Sequence, residues 1–232
     1  MSLITTFEGI QRETFGKFIL PAVIESMRLF PDAIVIASGI YAIIIQSFPY
    51  GVFFGTMVEA TVIYNLIKSF ATYVNITGTI IPTAQSNRGE CRSGFINPIS
   101  LNYLSFFGDS PIGIAFPSGP IYTLSVAAAY IFTTLNHQSK ELQALGPSYS
   151  SRYYSSMFFL SMIIFVFILF RLFFNCESFG VMFMSVVIGL VIGVLLVRQN
   201  VRLFGPQSIN LIGIPLLRNR TADGKKLYVC PK

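Results

Sequence analysis

The 232 residues are 53% hydrophobic and only 11% charged, whereas about a quarter of the residues of an ordinary soluble domain are charged. That balance argues against a soluble globular domain, a disordered chain or a disulfide-built miniature, and points to a membrane protein. The formal charge is nonetheless +6, from 16 Lys and Arg against 10 Asp and Glu, so the few charges are biased in sign.

The fold class expected is all-α: a polytopic transmembrane bundle of about five spans preceded by an N-terminal interfacial helix. Residues 1–32 contain Glu8, Glu13, Glu25 and Asp32 and no short apolar core followed by a small-residue cleavage site, so no removable signal peptide is expected. Within them, residues 14–31 place Phe15, Phe18, Ile19, Ala22, Val23, Met27 and Phe30 on one helical face and Lys17 and Arg28 on the other. This is the pattern of a helix lying in the membrane interface.

A bundle over residues 33–197 follows. A span needs about 20 mostly apolar residues to cross a hydrocarbon core of about 30 Å. Residues 33–48 and 52–74 come close, with Pro49-Tyr50-Gly51 between them reading as a hairpin turn. The second span carries Glu59 and Lys68. Ionisable groups at that depth suggest a transport site by default. These two are nine residues apart, fall on opposite faces, and lie close enough to the ends for local pairing or snorkelling, so packing is the favoured role. Gly51-x3-Gly55 here and Gly189-x3-Gly193 in the last span allow close helix approach, within the bundle or between copies in a homo-oligomer.

A long loop over 75–120 comes next, of a length that is usually functional or disordered. It contains Cys91, Arg88, Arg92 and the glycosylation sequon Asn75-Ile76-Thr77. Residues 121–136, 153–174 and 179–197 supply three more spans, and residues 209–217, broken by Pro215, read as an interfacial or protein-packed segment. Residues 198–232 form a basic tail: they hold Arg198, Arg202, Arg218, Arg220, Lys225, Lys226 and Lys232 against Asp223 alone. The excess places the C-terminus on the inner, cytoplasmic side. Counting back then puts the N-terminus, the 75–120 loop and the 171–178 junction outside, and the 137–152 connection inside. The whole surplus of +6 lies in this tail, which marks it as the contact for an acidic partner or anionic lipid. Nucleic acid is disfavoured as a partner, because the Lys and Arg are not interleaved with exposed aromatics.

Metal and cofactor chemistry finds little support. Three Cys, one His and scattered acids give no ligand-spaced cluster, and no cofactor is expected. Cys91 and Cys176 both fall on the predicted outer face, so a disulfide between them is expected if that face is oxidising, whereas Cys230 falls inside.

Phe116-Pro117-Ser118-Gly119-Pro120 opens the third span, and Arg171 and Glu177 lie on the same predicted face. Here the sequence resembles the phosphatidic-acid phosphatase superfamily of membrane lipid phosphatases. That family carries Lys-x6-Arg-Pro, then Pro-Ser-Gly-His at a helix start, then Ser-Arg-x5-His-x3-Asp on one face of a six-helix bundle. Pro117-Ser118-Gly119 matches three of the four residues of the second motif, with Pro120 at the histidine position. Arg171 stands at the third motif's arginine, preceded by Phe170, with Glu177 at the nucleophilic histidine and Val181 at the aspartate. A shifted register puts Val181 at the histidine instead, and restores nothing. Arg88 and Arg92 are the candidates for the first motif, without its proline or lysine.

The resemblance implies an anion or lipid-headgroup pocket at Arg88, Arg92, Ser118, Gly119 and Arg171. It also implies that catalysis has been lost, because the single histidine, His137, falls on the opposite face and no nucleophile with a matched base remains. The plainer alternatives are Ser118 as a helix N-cap with Pro120 in the first turn, Arg171 as a headgroup anchor and His137 as a solvated loop residue. The function expected is a non-enzymatic, structural or scaffolding multi-pass protein of a membrane assembly, with other membrane or capsid proteins as partners. An internal membrane protein of a large DNA virus fits this description, as does a subunit of an organellar membrane complex. A lipid phosphatase or transferase with altered residues, and a transporter or channel using Glu59 and Lys68, are the alternatives.

Overall fold

The computed structural model describes residues 19–74, 91, 95–96, 103–104, 116–139 and 147–211. Five helices dominate them: α1 (Leu20–Ile45), α2 (Phe48–Tyr73), α3 (Gly119–His137), α4 (Pro147–Phe173) and α5 (Phe179–Phe204). A short 3-10 helix, Pro206–Ile209, follows α5, and Phe95–Ile96 pairs antiparallel with Tyr103–Leu104. Four of the helices are long and apolar enough to cross a membrane: α1, α2, residues Tyr153–Phe173 of α4, and α5. The chain is a multi-pass membrane protein, helical in its described residues apart from that short strand pair.

Its surface is apolar, unlike that of a soluble protein, and its hydrophobic core also holds small polar side chains. Ile43, Leu66, Phe158, Phe173, Phe183 and Val191 point outward, while Thr56, Ser118, Thr123, Ser125, Thr134, Gln138, Ser185 and Asn200 are buried. Lipid tails accept the first set freely, and only the protein interior can satisfy the second.

Several boundaries differ from the sequence reading, each for a local reason. The break expected at residue 32 falls inside α1, which runs through Pro31. Arg28, the adjacent Pro31 and Asp32, Val35 and Ser38 follow one another at about one helical turn and form one buried face, so packing holds a single helix across the proline. The first hairpin turns at Gln46 and Ser47 rather than at Pro49-Tyr50-Gly51. Gln46 takes the left-handed conformation (φ 50°) that closes α1, and Pro49 sits in the first turn of α2, where its missing N–H costs nothing. Finally, α5 continues seven residues beyond Val197 and stops at Gly205 (φ 79°), so Arg198 and Arg202 belong to a helix, not to a tail.

The helices alternate in direction. Tyr64 stacks near Tyr122 and Phe53 near Tyr130, which sets α2 antiparallel to α3. Ser118 meets Ser185 while Gly193 meets Ala129, which sets α5 parallel to α3. The 3-10 helix folds back and buries Ile209 against the bundle.

At the centre stands α3, buried at every residue from Gly119 to Tyr130. Its closest neighbour is α5. A Cβ on Gly189 would lie 2.7 Å from both the Ser125 Cβ and the Tyr122 carbonyl oxygen, and one on Gly193 would lie 2.6 Å from the Ala129 Cβ. In a bilayer, helices gain little from burying apolar surface against one another, and close van der Waals packing through small residues supplies the association. The Gly189-x3-Gly193 pair therefore acts within the chain. Gly51 and Gly55, with nothing within 4 Å of an added Cβ, face outward.

Candidate functional site

Two polar groups flank the midpoint of α3, one at each end of the bundle. The first gathers at the N-terminus of α3, where the α4–α5 junction also lies. There α4 ends at Phe173, Asn175 turns the chain in the left-handed conformation (φ 52°), and the Cys176 amide donates to the Arg171 carbonyl at 2.9 Å. Ser178 then caps α5 by accepting from the Val181 amide. This turn folds Glu177 back onto Arg171. The guanidinium donates from Nη2 to Glu177 Oε1 at 2.6 Å and from Nε to Oε2 at 3.4 Å, with both side chains about 95% buried (5% and 4% exposed). Its Nη1 reaches the Cys91 carbonyl at 3.5 Å. Cys91 is in turn joined to Cys176 by a disulfide, with the Cα atoms 5.2 Å apart across 85 residues of chain.

Ser118 lies at the same end. It holds the N-cap position of α3, but its hydroxyl caps nothing. Its backbone N–H donates to Ser185 Oγ at 2.7 Å, and Ser185 donates onward to the Val181 carbonyl. The Ser118 hydroxyl is fully buried and finds no partner among the described residues. Phe116 packs with Ala71 and Val181 beside it, and the Phe116–Pro117 bond is cis.

The structure thus brings Ser118, Gly119, Arg171, Cys91 and Cys176 to one end. Arg88 and Arg92 lie outside the described residues, as do Arg218, Arg220, Lys225, Lys226 and the sequon at Asn75. Arg198 and Arg202 are exposed near the far end of α5, and His137 is exposed at the far end of α3. The Arg171 fork is filled by Glu177, and its side chain is 5% exposed.

The second group occupies the other half of α3. Asn200 of α5 donates to Thr56 Oγ1 of α2 at 2.7 Å, and the Tyr130 hydroxyl comes up beside both without meeting the geometry of a bond to either. Gln138 donates to the Ile209 carbonyl at 3.3 Å, and Ser208 donates to the carbonyls of Gly205 and Asn200. At the edge of this group, Gln199 donates to Glu59 at 2.9 Å. Lys68 sits toward the opposite end of α2, 5.9 Å from the centre of the Tyr64 ring. The two charges of the second span therefore have separate surroundings.

Sequence reasoning missed several of these residues. Ser185 and Thr56 are single polar residues in apolar runs, and such residues in a span almost always face the bundle interior, whereas Asn200 and Gln138 stand in polar stretches at helix ends that hide them. Asp32 and Arg28, read as a boundary and a solvated face, are buried at 0% and 7% exposure, with Arg28 paired to Glu25. Their signal was the spacing to Val35 and Ser38. Among the described residues no group of three His, Cys, Asp or Glu could hold a metal. Compared with family models, curated proteins and solved structures, the chain matches none.

Proposed function

We propose that the chain is a non-enzymatic, five-pass structural protein of a membrane-containing assembly. The observation that carries this reading is the state of Arg171. In a phosphate pocket an arginine fork must be open to the phosphate oxygens, whereas here Glu177 fills it from within the same turn. A carboxylate held there also repels a second anion. The disulfide and the Arg171 contact fasten Cys91 onto the α4–α5 turn, which suits a structural role better than an opening substrate site.

On this reading α3 is the fifth span, screened from lipid by its neighbours. The N-terminal segment leads in along the interface, the C-terminus lies inside, and the basic residues that follow α5 contact an acidic partner or anionic lipid. The altered lipid phosphatase would use Arg171, Glu177 and Arg88, and is disfavoured by the closed pair. Transport through Glu59 and Lys68 is disfavoured by their separate partners.

Two measurements on the full chain test the proposal. Purified protein in nanodiscs is expected to release no phosphate from phosphatidic acid, and native membranes solubilised gently are expected to yield the chain within a larger assembly after cross-linking. Turnover that Arg171→Ala abolishes, or a chain that remains monomeric in its own membrane, would overturn it.

A further inference from the structure

We infer that the far half of α3 holds a file of bound water molecules running from Tyr130 past Thr134 to Gln138. Tyr130 OH, Thr134 Oγ1 and Gln138 Oε1 are all buried; the last two have no hydrogen-bond partner among the described residues, and Tyr130 OH lies beside Asn200 and Thr56 without the geometry of a hydrogen bond to either. The three residues are spaced four apart on one face of the central helix.

The behaviour of Thr134 is the informative detail. A buried threonine in a helix ordinarily satisfies itself by donating to the carbonyl four residues back. Thr56, Thr61, Thr72 and Thr123 all do so here, at 2.7–2.9 Å. Of the buried helical threonines Thr56, Thr123 and Thr134, only Thr134 makes no such bond. A buried hydroxyl left unpaired costs about 1–3 kcal/mol, and a local remedy is within reach of a single rotation. A partner in the space beyond the helix accounts for why that remedy is not taken.

Spacing identifies the partner. Four residues of helix rise about 6 Å, close to twice the length of an O–H···O bond of about 2.8 Å. Water is the partner small enough to fit between successive turns and to bridge from one residue to the next. The surroundings supply the further polar contacts that a buried water needs, typically about three in all. Asn200 and Thr56 stand beside Tyr130, while the Ile209 carbonyl stands beside Gln138. At the other end of α3, Ser125 Oγ is also unpaired, but it packs against the Gly189 contact, where an added Cβ has no room. The water is thus confined to the half of α3 that closes on the 3-10 helix.

Radiolytic footprinting of the full chain in nanodiscs tests this, because hydroxyl radicals generated from a bound water label the adjacent side chain even when bulk solvent is excluded. Tyr122 provides an internal control. It is as buried as Tyr130, and its hydroxyl is satisfied by the Ala60 carbonyl at 3.1 Å. Tyr130 is expected to be labelled and Tyr122 protected. Thr134→Val, which removes one hydroxyl at nearly constant volume, is expected to abolish labelling at Tyr130 and leave Tyr122 protected. Equal protection of the two tyrosines in the parent chain would overturn the inference. So would labelling of Tyr130 that persists unchanged in Thr134→Val. If Thr134→Val instead disrupts the fold and exposes Tyr122, Thr134→Ser supplies the decision: it keeps the hydroxyl and must retain Tyr130 labelling with Tyr122 protected.

Discussion

Replacing Arg171 by alanine separates the two roles open to that residue. Glu177 is 4% exposed and Arg171 5%, so the pair belongs with buried ion pairs rather than with surface ones. Deleting one member of a buried pair typically costs about 3–5 kcal/mol, because the remaining charge is left without compensation. An exposed pair would cost about 0.2–1 kcal/mol. Arg171→Ala also removes the donor to the Cys91 carbonyl, which places the expected loss in the upper part of the buried range. The paired replacement Arg171→Met with Glu177→Leu leaves no stranded charge and is expected to recover most of that loss, since apolar substitutes for buried pairs are often neutral or stabilising. Equilibrium unfolding in mixed micelles by SDS titration, carried out on both singles and the double, measures the coupling. A headgroup site gives the opposite pattern: Arg171→Ala would hardly change unfolding without phosphate, and would remove a stabilisation by added inorganic phosphate. A loss below about 1 kcal/mol, with coupling near zero, would refute the closed-pair argument.

Further substitutions follow from the packing. Gly189→Ala and Gly193→Ala each drive a methyl to within 2.7 Å of atoms of α3 that include backbone oxygens, and are expected to destabilise by about 1–3 kcal/mol. Gly51→Ala and Gly55→Ala meet nothing and should stabilise by up to about 1 kcal/mol through helix propensity, so SDS titration of all four checks the assignment of the first pair to intramolecular contact. Cys91→Ser, which opens a loop of 85 residues, is expected to cost about 2–4 kcal/mol and to render the protein insensitive to reductant; unchanged thermal stability would count against the clasp. Thr56→Val strands the Asn200 amide and should cost about 1–2 kcal/mol, recovered in part by adding Asn200→Leu, as read from a double-mutant cycle.

The spans were legible because their signal is compositional: a run such as residues 179–197 carries no charge and can be nothing but buried or lipid-facing. Their ends were less so. Proline reads as a breaker, yet Pro31 lies within α1 and Pro49 within the first turn of α2, and the true stops are Gln46 and Gly205, whose left-handed backbone no composition rule marks at a glutamine. The polar interior was harder still. Periodicity in a membrane helix is weak because both faces are apolar, so the few residues that distinguish inside from outside are single serines, threonines and asparagines.

Arg171 illustrates the difference between a motif and a site. The sequence places an arginine and, six residues on, a glutamate at positions where the resembling family has an arginine and its nucleophile. Spacing alone permits Glu177 to act on a substrate or to close on Arg171. What decides between them is the turn at Asn175, which reverses the chain tightly enough for the carboxylate to reach the guanidinium at 2.6 Å. The disulfide at the neighbouring Cys176 then holds that turn against Cys91. A bidentate pair formed within seven residues and tied covalently to a distant segment has little freedom to open for a ligand. Atoms that suggest a phosphate pocket by their identity thus suggest a fastening by their arrangement, while among the described residues unmet hydroxyls remain at Ser118 and Ser125 in this half of α3 and unmet polar atoms at Thr134 and Gln138 in the far half.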